Sequence, residues 1–115
     1  MKIKHFSGYG SVNAKKLSVK NTTFTDNRYY EEPCKVMLVQ VSGLHEQGLD
    51  RDDKWLNEDI AFRWLLSKFD KTVKDRRQII DVETKLVQHG SWRDDTPEIV
   101  EYVIHYKPTE DWRHF

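Results

Sequence analysis

One stretch of the chain spaces its apolar residues for a helix. Phe62, Leu65, Leu66 and Phe69 fall at i, i+3, i+4 and i+7, which lines one face of a 3.6-residue period. Asn57 is the expected N-cap, Glu58 and Asp59 suit the positive end of the helix dipole, and Lys68 and Lys71 suit its negative end. The other patterned stretches read as strands. Ile3 to Phe6 is short, and Gly8-Tyr9-Gly10 turns the chain into Ser11 to Val19, which is half-exposed and bulged near Lys15-Lys16. Asn21 to Pro33 shows no period and reads as a connecting loop. Cys34 to Val41 is apolar on both parities and β-branched, as in a central strand covered on both faces. Gln78 to Val87 and Glu98 to Tyr106 both alternate and should pair as an antiparallel hairpin through the long loop Gln88 to Pro97. The expected fold is α+β, a mostly antiparallel sheet of about five strands in the order β-β-β-α-β-β, with one amphipathic helix packed on one face.

A chain of 115 residues makes one domain, residues 1–115, and its 37% of hydrophobic residues suffice for one modest core. The single cysteine, Cys34, cannot form an internal disulfide. Met1 to Ser7 lacks the apolar region of a secretion signal, so a cytoplasmic location is expected. The longest nearly apolar run, Val36 to Val41, is far below the roughly 20 residues that span a bilayer, so no membrane association is expected.

Nineteen basic residues balance nineteen acidic ones, but the charges are segregated. Residues 1–25 carry Lys2, Lys4, Lys15, Lys16 and Lys20 with no acid. From His45 to Asp59 the sign reverses: Glu46, Asp50, Asp52, Asp53, Glu58 and Asp59 stand against Arg51 and Lys54. Faces of opposite sign steer association with charged partners; charges matched to helix ends are the alternative explanation.

The loop Gly43 to Asp53, between the central strand and the helix, concentrates the chemistry. His45 beside Glu46 offers an imidazole and a carboxylate, which opens a metal-dependent hydrolase as an alternative function. No Gly-x-Ser-x-Gly elbow, phosphate loop, His-Glu-x-x-His or Cys-x-x-Cys is present, and the chain is read as a non-enzyme. His5, Cys34 and His45 each fall at the edge of an expected strand and could converge on zinc, with Glu46 or Asp50 as a fourth ligand. The N-terminal lysines around Phe6 and Tyr9 could follow a single strand of nucleic acid, but a pI near 7.0 and the acidic loop argue against direct binding. The four tryptophans exceed what so small a core needs. Trp64 belongs inside, whereas Trp55, Trp92 and Trp112 are free to serve as lids or interface anchors. Glu46, Asp50, Asp52 and Asp53, with Trp55 as the apolar anchor, are the expected partner-binding residues.

The strings Ile3 to Lys16, Gly43-Leu44-His45-Glu46-Gln47-Gly48-Leu49 and Trp64 to Lys71 resemble small proteins encoded by phages and integrative elements of Gram-positive bacteria. That class includes anti-CRISPR proteins, inhibitors of type II RNA-guided nucleases. The resemblance implies a protein of the bacterial host cytoplasm that binds such a nuclease stoichiometrically and blocks its DNA binding or cleavage. It carries over no catalytic residue.

Overall fold

The computed structural model describes residues 2–4, 11–25, 31–45, 48–91 and 93–107. Strands β1 (Lys2–Lys4), β2 (Ser11–Thr25) and β3 (Glu31–Ser42) precede the helical segment, and β4 (Ile79–Gln88) and β5 (Ile99–Tyr106) follow it. Every neighbouring pair is antiparallel, in the spatial order β1-β2-β3-β5-β4. Four long strands therefore carry the sheet, with the three-residue β1 along one edge. The α+β class read from the sequence holds. The hairpin of β4 and β5 also forms, and β5 lies between β4 and β3.

Side-chain alternation assigns the two faces. On β3, Met37, Val39 and Val41 have no exposed surface, and on β5 the same is true of Val100, Tyr102, Ile104 and Tyr106. These residues meet Ile60, Ala61, Trp64, Leu65 and Leu66 from the helical segment in one core cluster. Fully burying a side chain of this size contributes about 1.5–3 kcal/mol relative to leaving it exposed. Val36 and Leu38, on the other face of β3, are only half-buried. The strand is central, as its composition implies, and among the described residues one face is fully covered and the other only in part.

Two local expectations change. Within Asn21 to Pro33, read as a loop, residues 21–25 and 31–33 are strand, since Asn21 pairs with Lys35, Thr23 with Pro33 and Thr25 with Glu31, and residues 26–30 lie outside the described residues. The Thr-Thr-Phe-Thr run has the β-branched and aromatic character that strands favour. Pro33 is tolerated because the β3–β5 pairing begins only at Lys35, so its missing N–H lies where β3 has no β5 neighbour. The expected bulge is present, as a register shift between Lys16 and Ser18.

The helix also starts earlier than Asn57. Asp53 is the N-cap of α1 (Lys54–Ile60), its carboxylate accepting from the Leu56 amide at 3.1 Å. Asn57 lies a turn inside, 6% exposed. α1 continues as a π-helical turn, Ala61–Leu66, and ends in α2 (Ser67–Phe69). Trp64, Leu65 and Leu66 are consecutive and all buried, a wider apolar stripe than the i, i+3, i+4 spacing implies.

After α2 the chain makes a polar connection back to the sheet. Asp70 accepts from the Thr72 amide at 3.0 Å, the Thr72 hydroxyl at 2.7 Å and the Tyr106 hydroxyl at 2.7 Å. Partial burial pushes its pKa up, but these three donors and the charge of Lys35 outweigh that and hold it below the usual aspartate value. A depressed carboxylate stabilises the fold above its unfolded pKa, and the contribution is lost as pH falls through the folded value. The stability gap between wild type and Tyr106→Phe should therefore be full at neutral pH and narrow below about pH 4. Thermal melts across that range would show it, and a gap independent of pH would remove the charge from the explanation.

Candidate functional site

The segment after β3 is built by two leucines. Leu44 and Leu49 are buried and are joined by a backbone bond from the Leu49 amide to the Leu44 carbonyl at 2.9 Å, with a second from Gly48 to His45 at 3.0 Å. Gly43 and Gly48 take φ of 99° and 71°, a region that side chains strain to reach. Held by these anchors, the chain then lays Asp50, Arg51, Asp52 and Asp53 along the surface.

Each of these residues has a distinct place. Asp50 accepts from the Asp52 amide at 2.8 Å, and Asp53 caps α1. Asp50, Asp52 and Asp53 are all exposed. Arg51 turns the other way and pairs with Glu98 at 2.7 Å. Its carbonyl accepts from the Asn57 side chain at 2.5 Å and the Thr84 hydroxyl at 3.3 Å. The Asn57 carbonyl oxygen in turn accepts from the buried Tyr102 hydroxyl at 2.7 Å, whose pKa burial pushes up. The acidic segment is thus fastened to β4, β5 and α1 through the one basic residue between Asp50 and Asp52. Asp59 is spent locally, paired with Arg63 at 3.2 Å and with Arg76.

Trp55 sits in the first turn of α1 with 80% of its surface exposed. Leu56, next to it, packs against the core, and Asn57 is buried. The helix start therefore points an indole outward beside three carboxylates. Of the partner-binding residues read from the sequence, Asp50, Asp52, Asp53 and Trp55 share this surface, and Glu46 lies outside the described residues.

The zinc set is not brought together. Cys34 is near the start of β3 and His45 lies three residues past its end, and the eight residue steps from Cys34 to Ser42 alone span about 26 Å at a rise of about 3.3 Å. Zinc bonds are about 2.0–2.3 Å long, so one ion cannot hold both. His5 lies outside the described residues. Among the described residues no group of three or more His, Cys, Asp or Glu could hold a metal ion.

His45 instead joins residues that the sequence did not connect to it. It lines a cleft of about 560 Å3 with His89, Asp95 and Glu98. The β3–β5 pairing explains the meeting, because Ser42 lies opposite Ile99 and so brings the loop after β3 against the loop before β5. In that second loop Ser91 and Thr96 form a two-way backbone bridge at 2.9 and 3.0 Å. Asp95 sits inside that bridge with a positive φ of 54°. The Ser91 hydroxyl is spaced 3.4 Å from Asp94, so its hydrogen-bond partner is a carboxylate and not either imidazole. Only the strand order, unreadable from periodicity, would have shown this cleft.

Lys15, Lys16 and Lys20 do not share one face of the sheet. The bulge in β2 sends Lys16 over the helix-side Phe69 ring, 5.8 Å from its centroid. Lys15 and Lys20, aligned with Gln40 and Val36 of β3, stand on the opposite face. The Gly8-Tyr9-Gly10 turn, Trp92 and Trp112 lie outside the described residues. No helix among the described residues is long and apolar enough to cross a membrane. The chain matches no family model, no curated protein and no solved structure.

Proposed function

We propose that the protein works by stoichiometric binding to a protein partner that carries a basic, phosphate-holding channel, and that it blocks that partner's use of nucleic acid. The observation that carries this reading is Trp55, 80% exposed in the first turn of α1 beside the exposed Asp50, Asp52 and Asp53. A large exposed aromatic is the residue type most often found as a binding hot spot, and exposed carboxylates in the segment leading to it raise the rate of encounter with an oppositely charged surface. The fastening of Arg51 through Asn57 and Tyr102 supports the reading too, because a surface already ordered before binding loses less entropy on docking.

The specific partner proposed is a type II RNA-guided nuclease, whose channel must be basic to hold phosphates. Purified protein mixed with such a nuclease and its guide RNA should form a complex of one copy to one, and that complex should fail to bind target DNA. Separate migration of the two proteins at micromolar concentration, with DNA binding unchanged, would remove the nuclease as partner.

A further inference from the structure

Cations gather at the end of the helix opposite the acidic segment. Residues 60–78 hold six basic side chains, Arg63, Lys68, Lys71, Lys74, Arg76 and Arg77, against Asp70 and Asp75. All six are exposed, whereas both acids are half-buried. Each acid is also bound within the fold. Asp70 accepts from Thr72 and Tyr106, and Asp75 accepts from the Arg77 amide at 2.8 Å and pairs with the Arg77 guanidinium. Asp59, just before this stretch, faces two guanidinium groups, those of Arg63 and Arg76. Two cations on one carboxylate leave a positive excess there too. Among the described residues no ion pair holds Lys68, Lys71 or Lys74.

The backbone under these side chains is fixed. The pair with Asp59 fastens Arg76 to α1, so the connection after α2 returns alongside the helix. Gln78 holds the amides of Lys74 and Asp75 and the carbonyl of Thr72. The six cations therefore stand on one helix-and-return unit whose backbone is ordered before any partner arrives.

We propose that this basic surface binds the sugar-phosphate backbone of a nucleic-acid duplex. Guanidinium and ammonium groups both bind phosphate, and a duplex concentrates that anion at about one charge per 1.7 Å of axis. A net charge of zero does not oppose a local contact, because exposed charges more than about 8 Å apart are largely screened at physiological salt. The helical rise of about 1.5 Å per residue sets Asp53 roughly 20 Å from Lys68.

Two features select a duplex among polyanions. Phe62 and Phe69, the aromatics of this surface, pack against the core, and cations lie over both: Arg76 is 5.6 Å from the first ring centroid and Lys16 5.8 Å from the second. Neither ring offers the stacking platform on which single-strand binders hold unpaired bases. A lipid surface calls for apolar side chains that insert, and the exposed large apolar residues, Leu17, Val19, Trp55 and Val87, all fall outside residues 60–78. The contact is made by the protein alone, so it stands apart from the partner reading above.

Anisotropy of a labelled DNA duplex of about 20 base pairs and arbitrary sequence, titrated with the full chain, tests it. The wild type should bind with a Kd on the order of 10 μM at about 50 mM salt and weaken roughly 20-fold by about 150 mM, the slope for about three neutralised phosphates. Lys68→Ala, Lys71→Ala and Lys74→Ala together should keep the wild-type melt, since all three positions are exposed. That variant should lose about tenfold or more in affinity and most of the salt dependence. If it melts early, the three single variants carry the test, each lowering the salt slope by about 1. Lys15→Ala, Lys20→Ala and Lys85→Ala remove the same charge from the sheet face away from the helix and should bind as the wild type does. No binding at about 50 mM salt, an equal loss in the sheet-face variant, tighter binding of the single strand than of the duplex, or binding to phosphatidylserine vesicles alone would each overturn the proposal.

Discussion

Gln78→Ala should cost about 3 kcal/mol of stability, summed over the backbone groups it would strand at about 1–3 kcal/mol for each that is fully buried. The side chain has no exposed surface and uses its whole hydrogen-bonding capacity. Its amide nitrogen donates to the carbonyls of Thr72 at 3.0 Å and Lys107 at 2.9 Å. Its oxygen accepts from the amides of Lys74 at 2.7 Å and Asp75 at 2.8 Å. Two carbonyls on one side and two N–H groups on the other permit only this orientation of the amide. The backbone of the same residue adds an N–H to Asp75 and accepts from Lys107, and Asp75 closes a capping box with it. One glutamine thus ties the connection from α2 to the beginning of β4 and the end of β5.

For a domain of this size about 3 kcal/mol corresponds to a fall of roughly 12 °C in Tm. Two further substitutions separate the bonds from the volume. Gln78→Met fills nearly the same space with no amide, so its loss should approach that of alanine. Gln78→Glu keeps an acceptor for the two N–H groups but turns a carboxylate toward the two carbonyls. That repulsion raises the folded pKa of the introduced acid, so the variant should lose stability as pH rises through that value and regain it on acidification. A Gln78→Met protein that melts with the wild type would show that packing alone holds the corner.

The sequence carries the helix, the hairpin and the central strand because each depends on local spacing. Phe62, Leu65, Leu66 and Phe69 mark a helix whatever surrounds them, and the alternations of β4 and β5 do the same for strands. Helix ends are less legible, because Asp53 and Asn57 are both favoured N-cap types. The choice falls on Asp53 since Asn57 is taken up by Arg51 and Tyr102, a contact spanning 45 residues. Gln78 reads in sequence as the first residue of an alternating strand. Its burial follows from the meeting of three segments that no periodicity records. The same holds for the cleft at His45, which exists because β5 and not β4 lies beside β3. The acidic segment was legible as a charge cluster, whereas which of its carboxylates also hold local turns was not.

That last distinction fixes how the partner surface can be tested without damaging the fold. Asp50 and Asp53 each accept a backbone N–H, so a lysine at either place would remove a turn or cap acceptor along with the charge. Asparagine keeps the acceptor and is an equally good N-cap, so Asp50→Asn, Asp52→Asn and Asp53→Asn together remove three charges and leave the geometry in place. The triple variant should melt near wild type, associate more slowly with the basic partner, and lose the salt dependence of its association rate, because exposed charges act mainly on encounter. Trp55→Ala should do the reverse. The indole is 80% exposed in the free protein, so its removal costs the fold little, and alanine suits the helix. In the complex a centrally buried tryptophan is worth about 2 kcal/mol or more, so dissociation should quicken roughly 30-fold with association little changed. Rates measured at two salt concentrations decide between these outcomes. If both variants fold and bind as the wild type does, the contact surface lies elsewhere, and the cleft formed by His45, His89, Asp95 and Glu98 becomes the next place to test.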